Sequence, residues 1–259
     1  MSRFINLEFS DGSGNQLNPD GTTHVKDEAY YVTEARTAFE NGRFEPALRF
    51  YSKVLEYNPK NAGAWTGQVR MLIELGEYRE AKLWADKALE RFPHEPDLLA
   101  AKAVALSRTG DLDGALSFSD AAIEERGDTP YVWLARGDVL LARSEQRADY
   151  CFEKALMLAP RDWFTLWLAA RIRFFYRQFV LALKLMQPAV ELNPGHFLLW
   201  LEQGHCQQAL GLVGPAEHSF IQARQLNPQC QEARLALHSV CNVGFFTRLR
   251  GKWRGLFRR

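Results

Sequence analysis

Apolar positions along the chain recur with a period far longer than a helix turn. Ala47, Ala81, Ala115, Ala148, Ala182 and Ala216 stand 34, 34, 33, 34 and 34 residues apart. Seven positions after each comes a second small or apolar residue: Val54, Ala88, Ala122, Ala155, Ala189 and Ala223. Twelve after each comes a breaker, Pro59, Pro93, Gly127, Pro160, Pro194 or Pro228. A large residue lies sixteen before five of the alanines (Tyr31, Trp65, Leu99, Leu166, Trp200), while Trp133 lies fifteen before Ala148. One residue is therefore missing in the fourth repeat, and the turn around Arg143 to Gln146 is where the shortening is expected.

Inside each period the spacing is helical. In the second unit Trp65, Val69 and Leu72 share one helix face, Gly76 interrupts, and Tyr78, Ala81, Ala85 and Ala88 begin a second helix. The proline that follows ends it, because the residue before proline is driven out of the helical region. Two helices with alanine at the facing positions can approach closely, but one such hairpin cannot bury its apolar face alone. Successive hairpins must stack, and the array is the stable unit.

The second unit, "AWTGQVRMLIELGEYREAKLWADKALERFP", resembles the tetratricopeptide repeat, with Trp65, Gly76, Tyr78, Ala81, Ala88 and Pro93 in the family's positions. The resemblance covers residues 28–228. It implies an all-α, right-handed superhelical solenoid of six helix hairpins, with residues 229–244 as a C-terminal capping helix whose Leu235, Leu237 and Val240 face inward. Residues 1–27, with the turn-rich stretch "SDGSGNQLNPDGTTH", read as a flexible leader. The array also resembles, more loosely, kinesin light chains and the bacterial proteins named after them, which would imply a cytoskeletal filament as partner.

A solenoid of this family holds peptides or partner helices on the surface lined by the first helix of each pair. On those helices, off the packing stripe, stand Arg36, Arg70, Asp138, Arg171 and His205, together with Tyr131, Phe164, Trp167 and Phe174. These nine are the candidate partner contacts. Relatives that grip a C-terminal carboxylate carry Lys and Asn where this chain has Val32 and Arg36, so that clamp is not expected. In the fifth unit, "WFTLWLAARIRFFYRQF", the stripe is satisfied by Leu166, Ala169, Ala170 and Phe179. Phe164, Trp167, Phe174 and Phe175 are left with two assignments open: repacking around the shortened fourth unit, or contact with a partner.

Catalytic motifs are missing. The sequence has no glycine-rich phosphate loop, zinc motif or serine elbow, and no small-molecule substrate, cofactor or metal is expected. Cys151, Cys206, Cys230 and Cys241 form no CxxC pair and read as free thiols. His238 and Cys241 lie one turn apart with Cys230 two turns earlier, but a fourth ligand is wanting.

Charge changes the picture only at the end of the chain. The whole carries 32 basic and 31 acidic residues, yet residues 1–244 have 26 basic against 31 acidic, and the last fifteen have six basic and none acidic. In "FFTRLRGKWRGLFRR" the apolar Phe246, Leu249, Trp253 and Leu256 are spaced three, four and three apart, with Phe245 and Phe257 beside them. As a helix these form one stripe flanked by Arg248, Arg250, Lys252, Arg254, Arg258 and Arg259, the pattern of an interfacial helix that meets anionic lipid. Six cations contribute roughly 6 kcal/mol at an anionic surface before ordering costs. An acidic protein groove, nucleic acid (disfavoured by the acidic body), or docking back onto the array are the other readings. No stretch of 18 apolar residues and no secretion signal occurs, so a cytoplasmic protein attached peripherally to membrane is expected. The sequence reads as a non-enzymatic adaptor, with a soluble scaffold or co-chaperone-like module as the other class.

Overall fold

The computed structural model describes residues 26–240. The described residues are helical and contain no strand. They fall into two compact units, Met1–Leu158 and Ala159–Arg259. Unit 1 holds α1 (Glu28–Glu40), α2 (Phe44–Tyr57), α3 (Ala62–Glu74), α4 (Tyr78–Leu89), α5 (Pro96–Thr109), α6 (Leu112–Glu124), α7 (Pro130–Ala142) and α8 (Ala148–Leu158). Unit 2 holds α9 (Trp163–Phe175), α10 (Phe179–Leu192), α11 (Phe197–Ala209) and α12 (Val213–Leu226), followed by a helix, α13, over residues 231–240. Consecutive helices pair as antiparallel hairpins, and in unit 1 the first helices also touch one another, α3 on α5 and α5 on α7. Each unit is thus a stretch of helical-repeat solenoid.

The repeating alanines are its core. All six, and all six residues seven positions later, are buried. Facing sizes are matched: Gly137 lies under the Phe152 ring and Gly204 under the Phe220 ring, where an added methyl would come within 3.0 Å of ring carbons. Trp65 and Trp200, at equivalent positions, each donate the indole N–H to a loop carbonyl six residues back, Pro59 O at 3.0 Å and Pro194 O at 2.8 Å. Four of the first helices begin on side-chain caps: Asp27, Asn61, Thr129 and Asp162 accept from N–H groups of α1, α3, α7 and α9, whereas α5 and α11 have none. Such caps stabilise by about 1 kcal/mol each.

Every hairpin turn is one motif. The residue eleven after the large residue is left-handed (Gly42, Gly76, Gly110, Ser144, Arg177, Gly211), and the next N–H bonds back five residues, as in Glu77 N to Leu72 O at 2.9 Å and Gln178 N to Arg173 O at 2.9 Å. Ser144 and Arg177 occupy, at φ 59° and 60°, a region that favours glycine. The residue missing from the fourth repeat falls between Ser144 and Ala148: α8 starts at its alanine, whereas α2, α4, α6, α10 and α12 start three residues earlier. The turn itself is intact, and the second helix has lost part of its first turn.

At the end of unit 2 the helix α13 lies within the segment expected to cap the array, and its inward face differs from the expected one. Ala233, Ala236, Leu237 and Val240 are buried, while Leu235 is 62% exposed. Leu235 stands two residues from both Ala233 and Leu237, about 200° round the helix, and cannot share their face. The leader up to residue 25, the end of the capping segment and the whole 245–259 tail with its candidate membrane contacts lie outside the described residues.

Candidate functional site

The candidate site in unit 1 is the face made by its first helices. Along α3, Val69, Met71 and Leu72 are buried, which turns Arg70 onto that face. Its guanidinium carbon lies 3.8 Å from the centre of the Tyr131 ring and 5.0 Å from that of Phe39. Three helices, α1, α3 and α7, therefore meet at one cation. The reach from α3 to α7 passes over α5, whose residues there, Ala100 and Val104, are small; Tyr131 packs against the cluster they form with Leu99, Val132 and Ala135. A cation over an aromatic face gains roughly 0.5 to 2 kcal/mol, more as water is excluded. Burial pushes the Tyr131 phenol well above the ordinary tyrosine range, with Arg70 pulling the other way, so the hydroxyl stays protonated. Neither the Arg70 guanidinium nor the Tyr131 hydroxyl has a hydrogen-bond partner among the described residues.

The other candidates of unit 1 are engaged. Arg36 is exposed and pairs with Glu40 one turn along α1, at 2.8 Å. Asp138, expected on the contact surface, is 2% exposed and accepts from Arg108 of α5 at 2.5 Å, in a pair that is buried on both sides. It belongs to the packing between α5 and α7, not to the accessible face. The repeat period placed it correctly on the helix but could not reveal a partner 30 residues back.

Unit 2 repeats the geometry with different chemistry. Arg171 of α9 lies 5.1 Å from the Trp167 ring centre and is ion-paired to Glu202 of α11. His205 of α11 sits with Nε2 3.2 Å from Glu232 of α13 and its ring 5.2 Å from that of Phe220. Glu232 is held below the usual carboxylate range, first by its contact with His205 and then by the charges of His205 and Arg171. Sequence reasoning missed Phe39, Glu202 and Glu232. Phe39 was hidden in the packing stripe. Glu202 and Glu232 lie 31 and 27 residues after their partners, an interval near one repeat, which is the signal that would have found them.

The aromatics of the fifth unit divide between the two assignments. Trp167 is fully buried and is core, a correction to its place among the contacts. Phe174 is half-buried against Phe179, centres 5.1 Å apart. Phe164 lies half-buried between Trp163 (5.6 Å) and Trp167 (5.4 Å), and Trp163 extends the group to His196 at 4.8 Å. Phe175 is 52% exposed. Two of the thiols are poor nucleophiles: burial raises Cys151, and Cys206 is pushed up to about 12. Among the described residues no group of three His, Cys, Asp or Glu could hold a metal ion, and no helix is long and apolar enough to cross a membrane.

Stacked helix hairpins with a shared first-helix face define the class as a helical-repeat protein. The chain belongs to the tetratricopeptide repeat family, whose model matches residues 15–161, more than half of its length. No curated protein matches it. Among solved structures, a tetratricopeptide repeat protein from Parabacteroides merdae is 16% identical, with 84% of this chain and 86% of that one covered and a TM-score of 0.53. The human IFIT1 dimer with m7Gppp-AAAA is 19% identical, with 91% and 60% covered and a TM-score of 0.52. The APC/C hetero-tetramer Cut9-Hcn1 is 17% identical, with 84% and 50% covered and a TM-score of 0.48. This chain spans about half to three-fifths of the last two, and at such identities the likeness is one of fold.

Proposed function

We propose that this protein is a non-enzymatic adaptor that holds a protein partner, whether peptide, helix or filament surface, on the first-helix face of unit 1. As a member of its family it is an interaction scaffold. The observation that carries the particular reading is Arg70, a half-buried cation held by two rings on that face while its N–H groups have no acceptor among the described residues. Folding alone gives little reason to keep a cation there, since an apolar side chain would pack on Phe39 and Tyr131 without desolvation cost.

The same proposal gives the 245–259 tail the task of a reversible tether to anionic membrane, on the strength of its interleaved aromatic and basic sequence. The adaptor would then work in the cytoplasm at a membrane surface, bridging it to the partner. Human IFIT1 is seen with capped RNA, but the shared fold does not carry that ligand here, and residues 1–244, with 26 basic against 31 acidic residues, disfavour an extended phosphate-binding surface.

The experiment is co-sedimentation of the full chain with neutral and anionic vesicles at low and high salt, beside a Trp253→Glu variant. Salt-sensitive pelleting with anionic vesicles that the variant loses is the expected result. No pelleting in any condition removes the tether and leaves a soluble scaffold.

A further inference from the structure

We propose that the Arg70 guanidinium and the Tyr131 hydroxyl together form a subsite for the carboxylate of an Asp or Glu side chain in an acidic partner segment. The inference rests on the reading of the first-helix face of unit 1 as a partner surface and gives that surface its chemistry.

The cations of these faces offer a built-in comparison. Arg36 has Glu40 and Arg171 has Glu202, His205 lies beside Glu232, and behind the face the buried Arg108 has Asp138. Arg70, on the same face, has two aromatic rings and no carboxylate among the described residues. The rings hold the side chain before a partner arrives, so little rotamer freedom is lost on binding. The phenol, kept protonated by burial, offers a second donor beside the guanidinium fork. One fork and one hydroxyl match the two oxygens of a carboxylate.

A phosphate fits less well. Glu74, Asp97 and Asp138 are near enough to act on the Tyr131 phenol. A phosphate dianion brings a second charge and three acceptor oxygens to a site that offers one cation and one hydroxyl with acids nearby, and is less completely answered there than the two oxygens of a carboxylate.

The test begins with selection of random displayed peptides on the full chain, followed by affinity measurements on the selected sequences as synthetic peptides. The selected peptides should share an Asp or Glu. Arg70→Gln should weaken them about tenfold, and Tyr131→Phe, which keeps the ring over Arg70, about threefold, as for hydrogen bonds to a charged group. Amidating the shared acid should cost at least tenfold in the parent protein and no more than the Tyr131 share, about threefold, in Arg70→Gln. Peptides without a shared acid, an unchanged affinity in Arg70→Gln, or tighter binding of a phosphoserine replacement would each overturn the subsite and leave the adaptor reading standing. Failure to select any peptide would also overturn the subsite, while the adaptor reading, which equally admits a folded helix or a filament surface as partner, would stand.

Discussion

The two units carry the same first-helix geometry and put it to different ends. In unit 2 the face is closed on itself: Arg171 spans to Glu202, and His205 to Glu232, so that both candidate side chains meet an acid about one repeat on. In unit 1 the equivalent arginine on α3 is answered by rings. What separates the faces is the residue that the next repeat supplies. A helical repeat fixes where a side chain stands, and its neighbours one period away decide whether it is spent on the fold or left for a partner.

The comparison can be strained most by removing a buried acid. Asp138→Ala leaves Arg108 in the interior without that carboxylate and should destabilise unit 1 by about 3 to 5 kcal/mol, whereas Glu202→Ala, in a pair that keeps some access to water, should cost less, about 1 to 2 kcal/mol. Urea unfolding of the two variants measures the difference; equal costs would mean that the pairs are not distinct in kind.

Next in size is overpacking. Gly204→Ala drives a methyl against the buried Phe220 ring and should cost about 1 to 3 kcal/mol, with Gly137→Ala at Phe152 similar. Combining Gly204→Ala with Phe220→Leu should return part of the loss in thermal unfolding. A smaller effect of opposite sign is expected at the turns. Ser144→Gly and Arg177→Gly relieve left-handed backbone and should each stabilise by about 1 kcal/mol, while Gly76→Ala should lose a similar amount.

The smallest effect is a pH dependence. Because Glu232 is depressed in the folded protein, its contribution is full above the ordinary carboxylate range and is lost as pH falls through its lowered folded value. Glu232→Gln should therefore lower the melting temperature slightly at pH 7, by well under 1 kcal/mol for so exposed a side chain, and the difference from the parent should vanish in acid.

Much of this was legible in the sequence. The alanine period fixed the hairpins, the core positions and the location of the lost residue, because small residues at helix contacts must recur wherever the helices do. The candidate cations followed from the same period, since a residue off the stripe of a first helix has one face left to occupy. What could not be read was pairing between repeats. Asp138 looks like Arg70 in sequence, and only the folded α5 shows that Arg108 reaches one of them and not the other. Trp167 misled for a related reason: an aromatic beside an arginine has the composition of a contact, yet here the ring is buried and the arginine lies over it. Leu235 was misplaced by arithmetic that the helix itself forbids. Ser144 and Arg177 went unnoticed as turn residues because only glycine announces a left-handed position.

The most direct measurement is the side-chain Nε–Hε spectrum of the arginines during titration of the full chain with a selected acidic peptide. The Arg70 resonance should shift and saturate with the binding isotherm while that of Arg171, already held by Glu202, stays in place. A stationary Arg70 with a moving Arg171 would put the partner on unit 2 and contradict the Arg70 subsite.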